Sequence, residues 1–310
     1  MTDPLKCFHL NQYDISSLPG YLQSVYIANC VINSVFAIVA IVGNAAILVA
    51  VKRNPLLHTP GNVLIACLAS SDLAVGLLAQ GSYIPYKIAE LEKMFNTFCK
   101  LRFFYNLSGF LFSVLSCLVV TTISVDRFLA LYLHLRYNQI VTVKRAMLSS
   151  FLCLTFAVIL TTLLVWFATV FLIGAIVIVV CLLLTLSSNY CLLKWLTHHH
   201  RQIIGLELSV RQKHVIKHDP GIEQAIKLRK SVLTITLVVG LMFVCYLPYF
   251  AVLLYRTVIG YPTHSVRLAH NLTEMIAFIN SACNPVLYCW NIREIRKPVL
   301  QFLRCRYVRS

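Results

Sequence analysis

Charge is what this chain has least of. Only 12% of its 310 residues are charged, against about 25% in a soluble globular protein, and that excludes a water-soluble fold. Acids are the scarcer sign, 11 against 27 Lys/Arg, for a net charge of +16. The basic residues fall in short blocks between apolar runs, as in loops facing a cytoplasm, so no nucleic-acid partner is expected. The twelve cysteines are scattered and sit mostly within apolar runs, which argues against a disulfide scaffold. No Cys/His set has zinc-site spacing. The N-terminus lacks the basic, apolar, small-residue order of a cleaved signal, so the first span is expected to direct insertion. No N-x-S/T sequon lies in the first 24 residues; Asn106-Leu107-Ser108 and Asn271-Leu272-Thr273 match it only inside expected helices.

Long uncharged runs are what the chain does have. Residues 15–51 carry no charge, nor do the 23 residues of 103–125, a length that matches a hydrocarbon core of roughly 30 Å. Between Arg145 and Lys194 lie 48 residues with neither charge nor proline. One helix of that length would be about 72 Å long, so two spans with a turn near 166–174 are expected. Spans at 61–86, 231–255 and 268–292 bring the count to seven. With the N-terminus outside, the inner segments then hold 20 Lys/Arg and the outer ones seven; a six-span reading puts 8 inside and 19 outside. The positive-inside rule selects seven.

The expected architecture is an all-α membrane protein. Residues 1–23 form a short extracellular tail, 24–292 a seven-transmembrane helix bundle, and 293–310 a cytoplasmic amphipathic helix and tail. In that last segment Ile292, Ile295, Val299, Phe302 and Leu303 recur at helical spacing among arginines, as in a helix lying on a membrane. Pro298 would start it, and Cys305 is a candidate for palmitoylation. His198-His199-His200 point in different directions on a helix and read as a solvated helix end. No internal repeat suggests a transporter.

The few polar residues inside the spans carry the chemistry. Gly43-Asn44 stands in span one, Leu68-Ala69-Ser70-Ser71-Asp72 in span two, and Asp126-Arg127-Phe128 closes span three. Cys245-Tyr246-Leu247-Pro248 lies in span six and Asn284-Pro285-Val286-Leu287-Tyr288 in span seven. In this order, on these spans, the motifs resemble those of the rhodopsin-like (class A) G-protein-coupled receptors over nearly the whole chain. That resemblance implies a receptor that passes an extracellular signal to a heterotrimeric G protein from the plasma membrane, with no catalytic residues and no resident cofactor. Asp72, Ser116, Asn280, Ser281 and Asn284 offer oxygen donors suited to a hard cation. The resemblance makes them an internal sodium site, and a water-filled polar network is the alternative. It also implies that Asp126 and Arg127 hold the resting state. Pro248 and Pro285 would supply bends, and Tyr190 and Tyr288 would approach each other on activation. The inner end of span six has Glu223 as its nearest acid, so a common second latch is missing and basal activity is expected.

The ligand is less legible. Where amine receptors carry an aspartate this chain has Gly109, and where opsins carry the retinal lysine it has Phe278, so a lipid or small peptide is favoured over a monoamine. Glu274, in the outer half of span seven, marks a ligand contact or a pair with a base such as Arg267. Phe110, Ser113, Tyr246, Tyr249 and Phe250 line a pocket or simply pack. The usual second-outer-loop cysteine and span-four tryptophan are missing, which places the chain nearest the melanocortin, cannabinoid and lysophospholipid group. Cys99 either pairs with Cys7 or leaves two free thiols. A receptor-like decoy without signalling, a seven-span hydrolase and a transporter are the competing readings.

Overall fold

The structure, a computed structural model, describes residues 18–133, 136–166, 173, 176–192, 194, 220–259 and 263–303. Within these, some side chains near helix ends are not described, 220–232 being the longest such run. Eight long helices follow one another: α1 Gly20–Arg53, α2 Pro60–Leu91, α3 Phe95–Leu133, α4 Val143–Trp166, α5 Ile176–Leu192, α6 Pro220–Ile259, α7 His264–Asn291 and α8 Arg293–Leu303. No strand occurs among the described residues. In hydrocarbon a helix satisfies its backbone groups within the segment, which is why the apolar runs adopt this form alone. The expected all-α bundle is the fold found.

Among the described residues, five helices are both long and apolar enough to cross a membrane by composition. The other two spans of the expected seven miss that criterion for different reasons. The described part of α5 stops at Leu192, short of a full crossing. The 28 residues of α7 are long enough but carry Arg267, Asn271, Glu274, Asn280, Ser281 and Asn284, all buried toward the other helices. The turn expected near 166–174 lies largely outside the described residues, as do Cys7, His198-His199-His200 and Cys305. The lipid-facing surface is correspondingly apolar, with Phe151, Leu152, Ile159, Ile176, Leu183, Val244 and Leu247 exposed.

The helices outrun their apolar cores. The third begins at Phe95 and ends at Leu133, beyond both limits of the uncharged run 103–125, because backbone hydrogen bonding continues into the headgroup layer where charges are solvated. The second reaches Leu91 and so takes in Lys87 and Glu90, which the sequence had suggested for a loop. It stops in a tight reversal: Met94 N–H donates to Ala89 O (2.9 Å) and Lys93 N–H to Glu90 O (3.3 Å). Lys93 holds the left-handed φ of 57° that this helix stop requires. Thr59 and Thr263 cap α2 and α7 by accepting from Asn62 and Val266 N–H. The eighth helix starts at Arg293, earlier than expected, with Pro298 inside it and Ile295 and Val299 buried.

Candidate functional site

Two glycines position the polar groups of the motifs by letting helices come close. A methyl built on Gly43 would stand 2.9 Å from the Pro285 ring, so α1 packs directly on the proline of α7. Asn44, the next residue, donates to Ala40 O (2.8 Å) and across to Ser281 O (3.1 Å). That second bond engages a carbonyl of α7 just before Pro285, where the helix ladder loses a donor.

Around it lies the mid-bundle cluster. Asp72 is fully buried and accepts a hydrogen bond from Asn284 Nδ2 at 2.8 Å; Ser281 is buried on the same helix as Asn284. Ser116 pairs with Ser71 at 2.9 Å, so its hydroxyl is engaged beside Asp72. Asn280 is buried close in sequence to both α7 partners. Four buried oxygens, on Asp72, Asn44, Asn280 and Asn284, accept no hydrogen bond from the protein. A surplus of acceptors and a single carboxylate fit a small hard cation or water. Tyr288 is fully buried below, and its hydroxyl also lacks a protein partner.

The inner end of α3 forms a second cluster. Asp126 Oδ2 lies 3.4 Å from Arg127 Nη2, and Asp126 Oδ1 accepts from the Tyr137 hydroxyl at 2.8 Å. Tyr137 sits on the single helical turn Tyr137–Ile140. Burial, followed by the Asp126 carboxylate, pushes its phenol pKa up, which keeps it a donor. A side chain on Gly61 would overlap the Arg127 guanidinium, so the start of α2 supplies the slot in which Arg127 rests. A polar ladder then ties α3 to α5 and α6. Thr121 and Thr185 share a bond of 3.0 Å, Asn189 Nδ2 donates to Ser124 Oγ (3.4 Å), and Thr236 donates to Asn189 Oδ1 (3.2 Å). Asn189 is buried whereas Tyr190 is 67% exposed, so Tyr190 and Tyr288 are not brought together.

The outer end holds the candidate ligand residues in two groups. Ser113, Tyr246 and Phe250 line a small cavity of about 20 Å³ with Cys117, Ile178, Leu182 and Met242, and Ser113 is a hydrogen-bond partner of Tyr246. Phe110 packs at the edge of the main core. Tyr249 lies between Phe250 and His270, with ring centroids 5.9 and 5.6 Å away. Pro248 stands inside α6 without interrupting it. Glu274 and Phe278 belong to the second group, between α2, α3 and α7. Phe278 sits edge-on to Tyr83 and Tyr105, and Glu274 lies 3.8 Å from His270 Nδ1. Beside them Lys87 pairs with Glu90 at 3.0 Å, both buried.

Sequence reasoning missed Gly61, Tyr137, Asn189 and the Lys87–Glu90 pair. Only the last left a signal, opposite charges three residues apart on what proves to be one helix face. Cys99 is disulfide-bonded and nine other cysteines are free thiols; Cys7, the candidate partner, lies outside the described residues.

One comparison with known proteins bears on this arrangement. The family model described as 7 transmembrane receptor (rhodopsin family) matches residues 43–173 and 161–288. Those limits run from the glycine packed on Pro285 to the buried Tyr288.

Proposed function

Because the chain belongs to the rhodopsin family of seven-transmembrane receptors, we propose that it carries the signal of an extracellular ligand across the plasma membrane to a heterotrimeric G protein. In this reading its N-terminus is outside and its C-terminus cytoplasmic, which the charge asymmetry favours. The observation that carries this reading is the held state of Arg127. Its guanidinium lies in the Gly61 slot beside Asp126, whose other oxygen is taken by Tyr137.

Releasing that arginine requires helices to separate at the inner face. The Thr121, Ser124, Thr185, Asn189 and Thr236 ladder bridges α3, α5 and α6 there. Pro248, with no N–H to give the helix ladder, gives α6 a place to bend between the pocket residue Tyr246 and the outer end. Pro285 does the same in α7 below Asn284.

Oxygens of Asp72, Asn284, Asn280 and Ser281 would hold a sodium ion, whose positive charge would stabilise the buried carboxylate and the closed packing of α2 on α7. The unbonded oxygens of Asp72, Asn280 and Asn284 support this, while the Ser71 bond of Ser116 makes that hydroxyl a weaker contributor. A ligand enters from the outer face, with a lipid or small peptide favoured over a monoamine by Gly109 and the carboxylate-free third span above Asp126. A Cys7–Cys99 bridge would tie the tail over that entrance, and Cys305 would add a lipid anchor after α8.

The test is nucleotide exchange on a panel of G proteins in membranes holding the wild type or Arg127→Ala, without ligand. Basal exchange that the substitution changes supports the receptor. Exchange no higher than in empty membranes, with or without ligand candidates, favours the decoy.

A further inference from the structure

Three sulfur-bearing side chains gather between α3, α5 and α6, and the receptor reading uses none of them. The register of α3 against α5 brings the first two together. The Thr121 hydroxyl stands 3.0 Å from that of Thr185, and one turn inward Asn189 Nδ2 reaches Ser124 Oγ. The two helices therefore run parallel, with facing positions 64 or 65 residues apart. One turn outward the same offset places Cys117 opposite Cys181. Thr121 shows how close the backbones are, its hydroxyl lying 2.8 Å from Cys117 O and 3.4 Å from Cys181 O, and the two thiols themselves interact. The third sulfur comes from α6: Met242 lines the cavity of about 20 Å³ that Cys117 and Tyr246 also line. All three residues are buried, and both thiols are free.

Chemistry narrows what they can hold. Thiolate and thioether sulfurs are soft donors, which select a soft cation such as Cu(I). Zinc would need four ligands in a tetrahedral set, and none of the described residues lining the cavity carries a carboxylate or an imidazole. An uncompensated charge is costly in such surroundings, whereas one thiolate with one monovalent ion is neutral overall. Binding then releases a single proton: one thiol loses its hydrogen as its sulfur bonds the ion, and the other thiol and the thioether donate lone pairs without ionising. A cavity of about 20 Å³ has room for one water-sized occupant, and so for one ion stripped of its water.

We propose that Cys117, Cys181 and Met242 form a binding site for a soft monovalent cation, with Cu(I) as the ion it takes. The ion ties α3 and α5 to α6 one turn outside the Thr121–Thr185 contact. On the receptor reading these helices must separate, so an occupied site lowers basal nucleotide exchange.

The experiment titrates the full chain in phosphatidylcholine nanodiscs, anaerobically and with ascorbate present, against Cu(I) held as its coloured bicinchoninate complex. Loss of colour counts the ions the protein takes. Wild type should take one tightly held ion more than Cys117→Ala or Cys181→Ala. Met242→Leu, which nearly conserves volume, should keep the ion but bind it roughly ten- to a hundredfold more weakly, the range for losing a supporting group. Cys153→Ala removes a thiol outside the set, 3.7 Å from the Thr122 hydroxyl, and should change nothing. X-ray absorption at the copper edge should show sulfur neighbours alone. Should an alanine variant not fold, Met242→Leu and the absorption spectrum decide. A tight ion retained in either alanine variant, or unchanged affinity in Met242→Leu, overturns the proposal. So does an equal loss in Cys153→Ala, oxygen or nitrogen bound to the ion, or displacement of Cu(I) by equimolar Zn(II). No G protein enters this measurement, so a chain that binds the ion but exchanges no nucleotide carries the site and fails the receptor reading.

Discussion

Removing the Tyr137 hydroxyl tests the held state of Arg127 most directly. In Tyr137→Phe the ring stays and Asp126 Oδ1 loses the donor now 2.8 Å away. A hydrogen bond to a charged acceptor contributes about 1.5–3 kcal/mol, and the half-buried position of Tyr137 puts it at the lower end. If the bond belongs to the resting arrangement, its loss raises the active-to-resting ratio by roughly tenfold, since about 1.4 kcal/mol is one decade. Ligand-free nucleotide exchange in nanodiscs should rise accordingly. Asp126→Asn should raise it at least as much, and the double variant should add little beyond Asp126→Asn, because both changes break one contact. Fully additive effects, or a fall in exchange with unchanged expression, would refute the reasoning. The pH dependence has a definite sign. A phenol whose pKa is pushed up by burial, and next by Asp126, contributes fully below about pH 10, its ordinary value, and its contribution is lost only above that. Exchange in Tyr137→Phe should therefore exceed wild type by the same factor from pH 6 to pH 9.

Other substitutions probe the remaining clusters. Asp72→Asn should abolish any effect of sodium on agonist affinity or basal exchange, and sodium acting equally on both proteins would remove the cation site. Asn189→Ala breaks the two bonds by which Asn189 ties α5 to Ser124 of α3 and Thr236 of α6; at about 0.5–1.5 kcal/mol each, several-fold higher basal exchange is expected, and a silent variant would show the ladder is not a latch. Lys87→Met leaves Glu90 buried without its ion pair and should cost about 3–5 kcal/mol, read as a lower unfolding temperature. Adding Glu90→Gln should recover most of that loss, and no recovery would mean the pair is not the cause.

Hydrophobicity was enough to predict an all-α bundle of membrane spans, and the polar motifs within the spans pointed to the family. A span needs only an uncharged run of sufficient length, and the positive-inside bias is additive along the chain. The motif residues Asn44, Asp72, Asp126, Arg127, Asn284, Pro285 and Tyr288 were legible for the same reason: a polar group in hydrocarbon is costly enough to stand out. The polar α7 shows the limit of composition, since its length and motifs, not its apolarity, made it a span. Tertiary structure alone decided what those groups touch. Gly61 is an ordinary turn residue in sequence and becomes the slot for Arg127 only because α2 and α3 approach there. Tyr137 meets Asp126 across a loop whose path no periodicity encodes, and Asn189 rather than Tyr190 faces inward because of how α5 is rotated against α3. Lys87 and Glu90 lie past the expected end of span two at 86, and only the continuation of α2 to Leu91 makes them a buried charged pair. Burial is a property of neighbours brought from distant parts of the chain, and a linear pattern records a residue's own preference, not who arrives beside it.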